Sequence, residues 1–125
     1  MFELNINGTV YSFKFGIGFV REINKRVLKP VEDTNKKQEL GLQYAVAGLI
    51  DEDHIELIDI LDIANKTEKP RIYRGALDAY MEDESTDIGA LCAEVLGFFK
   101  ENNATKKTAN AVVEMVEAQK AQANQ

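Results

Sequence analysis

The sequence predicts an α+β protein that is mostly helical, with an N-terminal β-hairpin at about residues 2–15 packed on a bundle of about five to six α-helices. The first observation is an Asn-Gly pair between two short runs of alternating apolar and polar residues. The second is that apolar residues recur at helical spacing along most of the remaining chain. The third is size, because 125 residues with 45% hydrophobic and 29% charged content are typical of one globular domain.

The hairpin prediction depends on Asn7-Gly8. A two-residue type I′ turn needs positive φ at both central residues, and Asn and Gly tolerate this conformation. Such a turn places Phe2 opposite Phe13, and paired residues share one face of the ribbon. Val10 is the single apolar residue on the other face. The predicted packing face consists of Phe2, Leu4, Ile6, Tyr11, Phe13 and Phe15.

A helix is predicted directly after the hairpin. Ile17, Val20, Ile23 and Val27 recur at helical spacing, while charged residues lie between them. Pro30 ends this run, because proline cannot continue a helix. The N-terminal part of the chain therefore reads as a hairpin that leads into an amphipathic helix.

The opening sequence INGTVYSFKFGIGFVREINK resembles that of the tail assembly chaperones of long-tailed phages and prophages of Gram-positive bacteria. The resemblance rests on Ile6-Asn7-Gly8, on Lys14-Phe15-Gly16-Ile17 and on Arg21-Glu22. These are packing motifs, and beyond them only the order of the helices and an acidic middle agree. Asn24 departs from the pattern, which has an acidic residue there; this difference affects surface charge and not the hairpin.

The resemblance implies a non-catalytic chaperone that binds and masks the tape measure protein during tail assembly. It also implies self-association into a homo-oligomer and contact with the tail tube protein as a further partner. The expected location is the cytoplasm of the bacterial host, and the protein is not expected in the mature virion. By the same resemblance, incoming tail subunits would displace the chaperone.

Four further segments are predicted in the middle of the chain. Leu28–Gln38 is polar and has no periodicity, so it is expected to be an exposed loop. Glu39–Ile50 is predicted to be a short helix. Asp51–Asn65 is predicted to be a helix that opens with solvated acidic residues, which the helix dipole favours in a first turn. Pro70–Met81 is predicted to be a helix with its proline in the first turn.

Two more helices complete the prediction. The first carries apolar residues at 3–4 spacing over Ile88–Phe99 and is capped by one residue of Ser85–Asp87. The second spans about Thr105–Ala121. Residues 1–104 are expected to form the domain, and residues 105–125 either belong to it or extend from it as a partner-binding element.

The helix predicted at Asp51–Asn65 is apolar on most of its circumference. Such a helix is either the central core helix or is covered in part by another subunit. The final helix carries a narrow valine stripe, which is typical of a docking element. The predicted interface with a partner or a second copy consists of Val10, Leu57, Ile60, Val112, Val113 and Val116.

No pattern that carries chemistry is complete. The acidic residues of the middle helix lack the Gly and Glu positions of an EF-hand loop, and a zinc site needs more than a single His. Gly16-x-Gly18 lacks the third glycine of a dinucleotide-binding turn. His54 has no nucleophile partner, and Cys92 lies in an apolar helical run where a buried thiol is expected. We therefore expect no enzyme, no cofactor and no metal.

The net charge of −6 argues against nucleic acid and membrane surfaces as partners, because both attract cationic patches. The basic residues around Lys25 and Arg26 are expected to form a solvated face. They leave open one alternative function, a small helical regulatory or nucleic-acid-associated interaction domain. The start of the chain lacks a signal-peptide pattern, no apolar run reaches membrane-spanning length, and a single cysteine suits a reducing cytoplasm.

Overall fold

A computed structural model describes residues 1–123, and the end of the predicted 105–125 extension lies outside the described residues. Two short antiparallel strand pairs and six helices form the described part of the chain, which confirms the predicted α+β, mostly helical fold. The elements are β1 Phe2–Ile6, β2 Thr9–Phe13, α1 Ile17–Asn24, β3 Leu28–Pro30, β4 Lys37–Glu39, α2 Gly41–Ile50, α3 His54–Asn65, α4 Arg74–Glu82, α5 Ile88–Glu101 and α6 Lys106–Ala123.

The hairpin of β1 and β2 has the predicted turn and register. Asn7 and Gly8 have φ angles of 55° and 84°, and the Gly8 N–H donates to Asn5 Oδ1 at 3.0 Å. Phe2 lies opposite Phe13 in an antiparallel pair. The turn chemistry and the alternation of apolar residues therefore specify the same pairing, as predicted.

One face of this hairpin packs on the helices. All six phenylalanines of the chain meet there, with ring centroids of neighbouring pairs 5.0–6.4 Å apart in tilted or edge-on arrangements. Phe98 and Phe99 of α5 close the cluster from the helical side. On the hairpin, the buried residues of this face are Phe2, Ile6, Phe13 and Phe15, and the half-buried ones are Leu4 and Tyr11.

The polar residue at the end of α3, Asn65, is fully buried. Its Nδ2 donates to the carbonyl oxygens of Ser12 at 2.9 Å and Pro70 at 3.2 Å. Its Oδ1 accepts from the Ile72 N–H at 2.7 Å and from Arg71 Nη1 at 3.1 Å. The amide is therefore fully hydrogen-bonded, and it joins the hairpin, α3 and the segment before α4.

The first helix ends earlier than predicted, at Asn24 rather than at Val27. Asn24 Oδ1 accepts a hydrogen bond from the Leu42 N–H at 2.9 Å, which links the end of α1 to the start of α2. The two chain segments approach closely here, because a Cβ placed on Gly41 would lie 1.7 Å from the carbonyl oxygen of Ile23. Only glycine fits this position.

The segment Leu28–Gln38, predicted to be a loop, contains a second hairpin. β3 and β4 pair antiparallel with Leu28 opposite Glu39, and all residues from 28 to 39 are exposed. Because neither face of this hairpin is buried, the sequence carries no apolar alternation from which strands could be predicted. We call residues 28–39 the arm.

The helix after α3 also begins later than predicted. α4 starts at Arg74 rather than at Pro70, and Tyr73, which lies within the predicted helix, is 73% exposed. The cause is Asn65, whose side chain accepts the N–H of the buried Ile72 and holds the preceding segment outside the helix. Within the described residues, no helix is both long enough and apolar enough to cross a bilayer.

We predict that Gly41→Ala lowers the free energy of unfolding by about 1–3 kcal/mol, the usual range for overpacking, because the added methyl group collides with the backbone of α1. Urea denaturation measures the change. Gly97→Ala is the matched control: nothing lies within 4 Å of a Cβ at Gly97 in α5. Alanine there is expected to stabilise the helix by up to about 1 kcal/mol. Similar effects of the two substitutions would contradict the close approach.

We predict that Asn65→Leu lowers the free energy of unfolding by at least about 3 kcal/mol, because a side chain of similar size leaves several buried backbone groups unpaired. Thermal and urea denaturation measure the loss. Asn110→Leu, at an exposed position of α6, is the control and should change stability by less than about 0.5 kcal/mol. A small change in the free energy of unfolding of Asn65→Leu would mean that water molecules bind the backbone groups that the Asn65 amide binds in the native chain.

Candidate protein-binding surfaces

Arg26 connects the segment after α1 to the polar stripe of α3. Its Nη1 lies 3.1 Å from Glu56 Oε1, and its Nη2 lies 2.6 Å from Asp59 Oδ2. The forked guanidinium suits two carboxylates at once. Arg26 was expected to belong to a solvated basic face, but it is paired with acidic residues, so less positive charge remains for binding nucleic acid.

Two further arginines neutralise the same stripe. Arg71 Nη2 lies 2.9 Å from Asp62 Oδ1, Arg74 Nη1 lies 3.2 Å from Asp62 Oδ2, and Arg74 also pairs with Asp59. These arginine side chains are 42% and 53% exposed, so each pair contributes only about 0–1 kcal/mol. The acidic residues that open the predicted helix, at positions 51–53, are exposed as expected, whereas the carboxylates of the stripe within α3 are paired with arginines. Among residues 1–123, no cluster of His, Cys, Asp or Glu is arranged to hold a metal ion.

Two residues of the predicted interface lie in the core. Leu57 and Ile60 are 0% exposed, and α3 is surrounded by α1, α2, α4 and β2 of the same chain. Of the two explanations for the apolar circumference of α3, its burial in its own domain is the one that the structure shows. The prediction that these two residues contact a partner is therefore wrong for the folded chain.

The valine stripe of α6 holds this helix against the domain. Val112 is 5% exposed and belongs to the core, Val116 is partly buried against it, and Val113 is half-buried. Ala109 is also buried, so the first turns of α6 share the core of the preceding helices. Val10, on the outer face of β2, is 50% exposed and is the predicted interface residue most accessible to a partner.

An open groove lies between the start of α1 and the end of α3. It has a volume of about 560 Å³ and is lined by the apolar side chains of Ile17, Phe19 and Ile63. Ile17 is 57% exposed. Two lysines and two glutamates also line the groove, so its formal charges balance, and Lys66 pairs with Glu22 of α1. We call this site the α1–α3 groove; its size suits a few apolar side chains of another polypeptide.

A smaller groove of about 340 Å³ lies between the start of α3 and α4. Its apolar lining includes Ile55, Ile58 and Met81, and Ile55 is 68% exposed. Ile17 and Ile55 both stand in the first turn of a helix. Ile17 belongs to the apolar residues predicted for the first helix, and Ile55 lies in the helix predicted to be apolar on most of its circumference. Side chains at a helix start, however, have no preceding turn to cover. This is why sequence reasoning missed both as surface residues.

A mostly helical core with exposed apolar side chains along open grooves is typical of proteins that bind other polypeptides. The family model for the phage tail assembly chaperone protein, TAC, matches residues 3–114. Because this match covers most of the 125-residue chain, the chain belongs to the phage tail assembly chaperone family. No match was found among curated proteins or among solved structures.

Cys92 lies on the buried side of α5 and is 1% exposed. Burial, together with the nearby negative charges of Glu52 and Asp53, raises the pKa of its thiol to about 11. Because the thiolate is the reactive form, the thiol is protonated and unreactive at neutral pH. The structure thus gives this cysteine the buried position that its apolar surroundings in the sequence predict.

We predict that Cys92 reacts with iodoacetamide at pH 8 at least about a hundredfold more slowly in the native chain than in urea, because a raised pKa reduces the thiolate fraction. Between pH 8 and 10 the native rate should rise about tenfold per pH unit, whereas the rate in urea should level off near pH 9. Mass spectrometry of quenched samples measures both rates. A native rate that levels off near pH 9 would contradict the raised pKa.

Proposed function

We propose that this tail assembly chaperone binds and masks the tape measure protein in the host cytoplasm during tail morphogenesis. The observation that carries the proposal is the family match over residues 3–114. The exposed apolar side chains of the fold support it, because a chaperone that prevents aggregation must cover apolar surface of its client. We infer a non-catalytic role, a client that is long and helix-prone, and absence from the finished virion.

The α1–α3 groove is the surface that we assign to the client. An amphipathic helix binds a groove through apolar side chains one turn apart. The groove offers an apolar lining and an exposed rim residue, Ile17, for such a contact. The site carries both signs of charge, because Lys14 and Lys66 are balanced by Glu22 and Glu68, so we assign the contact to its apolar lining and not to charge.

The chaperone can be released from its client because the contact between them is apolar and non-covalent. Exposed apolar side chains in an open groove make a reversible complex, and no bond has to be broken to end it. Tail tube subunits that cover the tape measure protein would displace the chaperone by competition for the same surface. Self-association of neighbouring chaperones along one client belongs to the same proposal.

The alternative of a nucleic-acid-associated domain has less support. Arg26, the residue at the centre of the predicted basic face, is paired with Glu56 and Asp59. Lys66 is paired with Glu22. With a net charge of −6, the remaining cations do not offset the repulsion from a phosphate backbone.

We predict that Ile17→Asp abolishes the ability of the protein to keep its tape measure protein soluble. The two proteins of the same phage are co-expressed, and the soluble fraction of the tape measure protein is measured after ultracentrifugation. An aspartate in the first turn of α1 is favoured by the helix dipole, so this variant should fold normally, as circular dichroism would verify.

Ile55→Asp is the matched control, because it places the same charge in the first turn of α3 and outside the α1–α3 groove. It should leave the tape measure protein soluble. Equal loss in both variants would argue against the groove as the binding site. Solubility of the tape measure protein in the absence of the chaperone would contradict the proposed function itself.

A further inference from the structure

The arm is the longest run of exposed residues in the part of the chain that the structure describes. Its residues 28–39 are all exposed, and it is held at its base by the Leu40 N–H, which donates to the Val27 carbonyl at 2.8 Å. The neighbouring bond from Leu42 to Asn24 fixes the chain that leaves it. A two-stranded hairpin without a buried face is marginal in water and gains stability from further strands.

The hydrogen bonds of the arm show which backbone groups are free. The Leu40 N–H and the Val31 N–H donate across the ladder, the second to the Lys36 carbonyl at 3.1 Å. Because antiparallel residues alternate between facing the partner strand and facing away, the backbone groups of Lys37 and Glu39 point away from β3. Within the described residues, no third strand pairs with this edge.

The two edges of the arm differ in their ability to pair. The outer edge of β3 contains Pro30, which has no N–H and protects an edge from pairing. The outer edge of β4 contains Lys37-Gln38-Glu39, with an N–H at every position. Only the β4 edge is therefore a complete template for another strand.

We propose that the β4 edge pairs with the β4 edge of a second copy of this chain, antiparallel and centred on Gln38. This register places Lys37 of each copy opposite Glu39 of the other, and each such pair exchanges both backbone hydrogen bonds. The side chains of each pair lie on one face and form an ion pair. The result is a four-stranded sheet with two-fold symmetry.

Charge complementarity favours a second copy as the partner. Two neighbouring registers would also pair the backbone N–H and C=O groups of β4 that point away from β3. One places Lys37 opposite Lys37 of the other copy, and the other places Glu39 opposite Glu39. Like charges directly opposite each other are destabilising, so both registers are disfavoured. Two copies with a net charge of −6 repel each other, but the arm itself is neutral, so it is a segment where they can approach. Its charged residues are Lys29, Glu32, Asp33, Lys36, Lys37 and Glu39.

The contact is small, so the association is weak and depends on concentration. This inference rests on the self-association included in the proposed function and assigns a surface and a register to it, but it does not require the tape measure protein. It is tested on the purified chain alone, so its failure would leave client binding untouched. Likewise, failure of client binding would leave the pairing of the arms untouched.

Charge reversal tests the register by sedimentation velocity over a wide concentration series. Lys37→Glu and Glu39→Lys each place like charges opposite each other and should lower the association constant about tenfold or more. The double variant K37E/E39K exchanges the charges and should restore the association. Lys36→Glu is the matched control, because it changes the net charge by the same amount as Lys37→Glu. Residue 36 faces the uncharged Leu40 of the other copy, so this variant should retain most of the association.

Cross-linking tests the two-fold axis independently of affinity. In the proposed register the two Gln38 residues form a pair without hydrogen bonds, with Cα atoms about 4.5 Å apart, which a disulfide can span. Gln38→Cys should therefore form a covalent dimer on mild oxidation. Lys29→Cys, at the paired position on β3, would lie about 14 Å from its copy, three strand spacings away, and should not.

Three results would overturn the proposal. The first is a monomer at all concentrations together with no cross-link at Gln38. The second is a dimer that neither single charge reversal weakens, because that dimer would form through another surface. The third is a double variant that does not recover association, because this would exclude the register centred on Gln38.

Discussion

The fold depends on one buried amide. Asn65 is the last residue of α3. Its side chain is hydrogen-bonded to Ser12 on the hairpin and to residues 70–72 before α4, two segments that are far apart in the chain. A buried amide that lacks any of these partners is costly, so the hairpin and the segment before α4 must both be in place. Because α3 contacts α1, α2, α4 and β2, fixing its end helps to fix the positions of these four elements.

The same segment determines the character of the surface. Once Asn65 holds residues 70–72, Arg71 and Arg74 reach the polar stripe of α3 and neutralise it together with Arg26. The carboxylates of this stripe are then paired, and Arg26 is no longer part of a free basic face. The exposed apolar side chains of Ile17 and Ile55 at helix starts lie along open grooves, and such surface suits polypeptide partners better than ions or nucleic acid.

The parts of the fold that local chemistry determines could be predicted from the sequence. Asn7-Gly8 specifies its turn without help from distant residues, and Asp87 caps α5 as one of the residues predicted for that role. The remaining features depend on contacts between distant residues. The burial of α3 by its own chain rather than by a subunit, the delayed start of α4 and the pairing of Arg71 with Asp62 all require knowing where Asn65 lies. The arm has no buried face, so it leaves no periodic signal.

The two proposed contacts would act together on a long client. Pairing of two β4 edges uses both edges completely, so it produces closed dimers and cannot by itself build a filament. Binding through the α1–α3 groove would place neighbouring chaperones at high local concentration, where a weak contact between arms becomes effective. A chaperone bound in this way holds its client through many reversible contacts, and removing one copy weakens the hold on its neighbour. Stable masking and stepwise displacement are then compatible, because neither contact is strong alone.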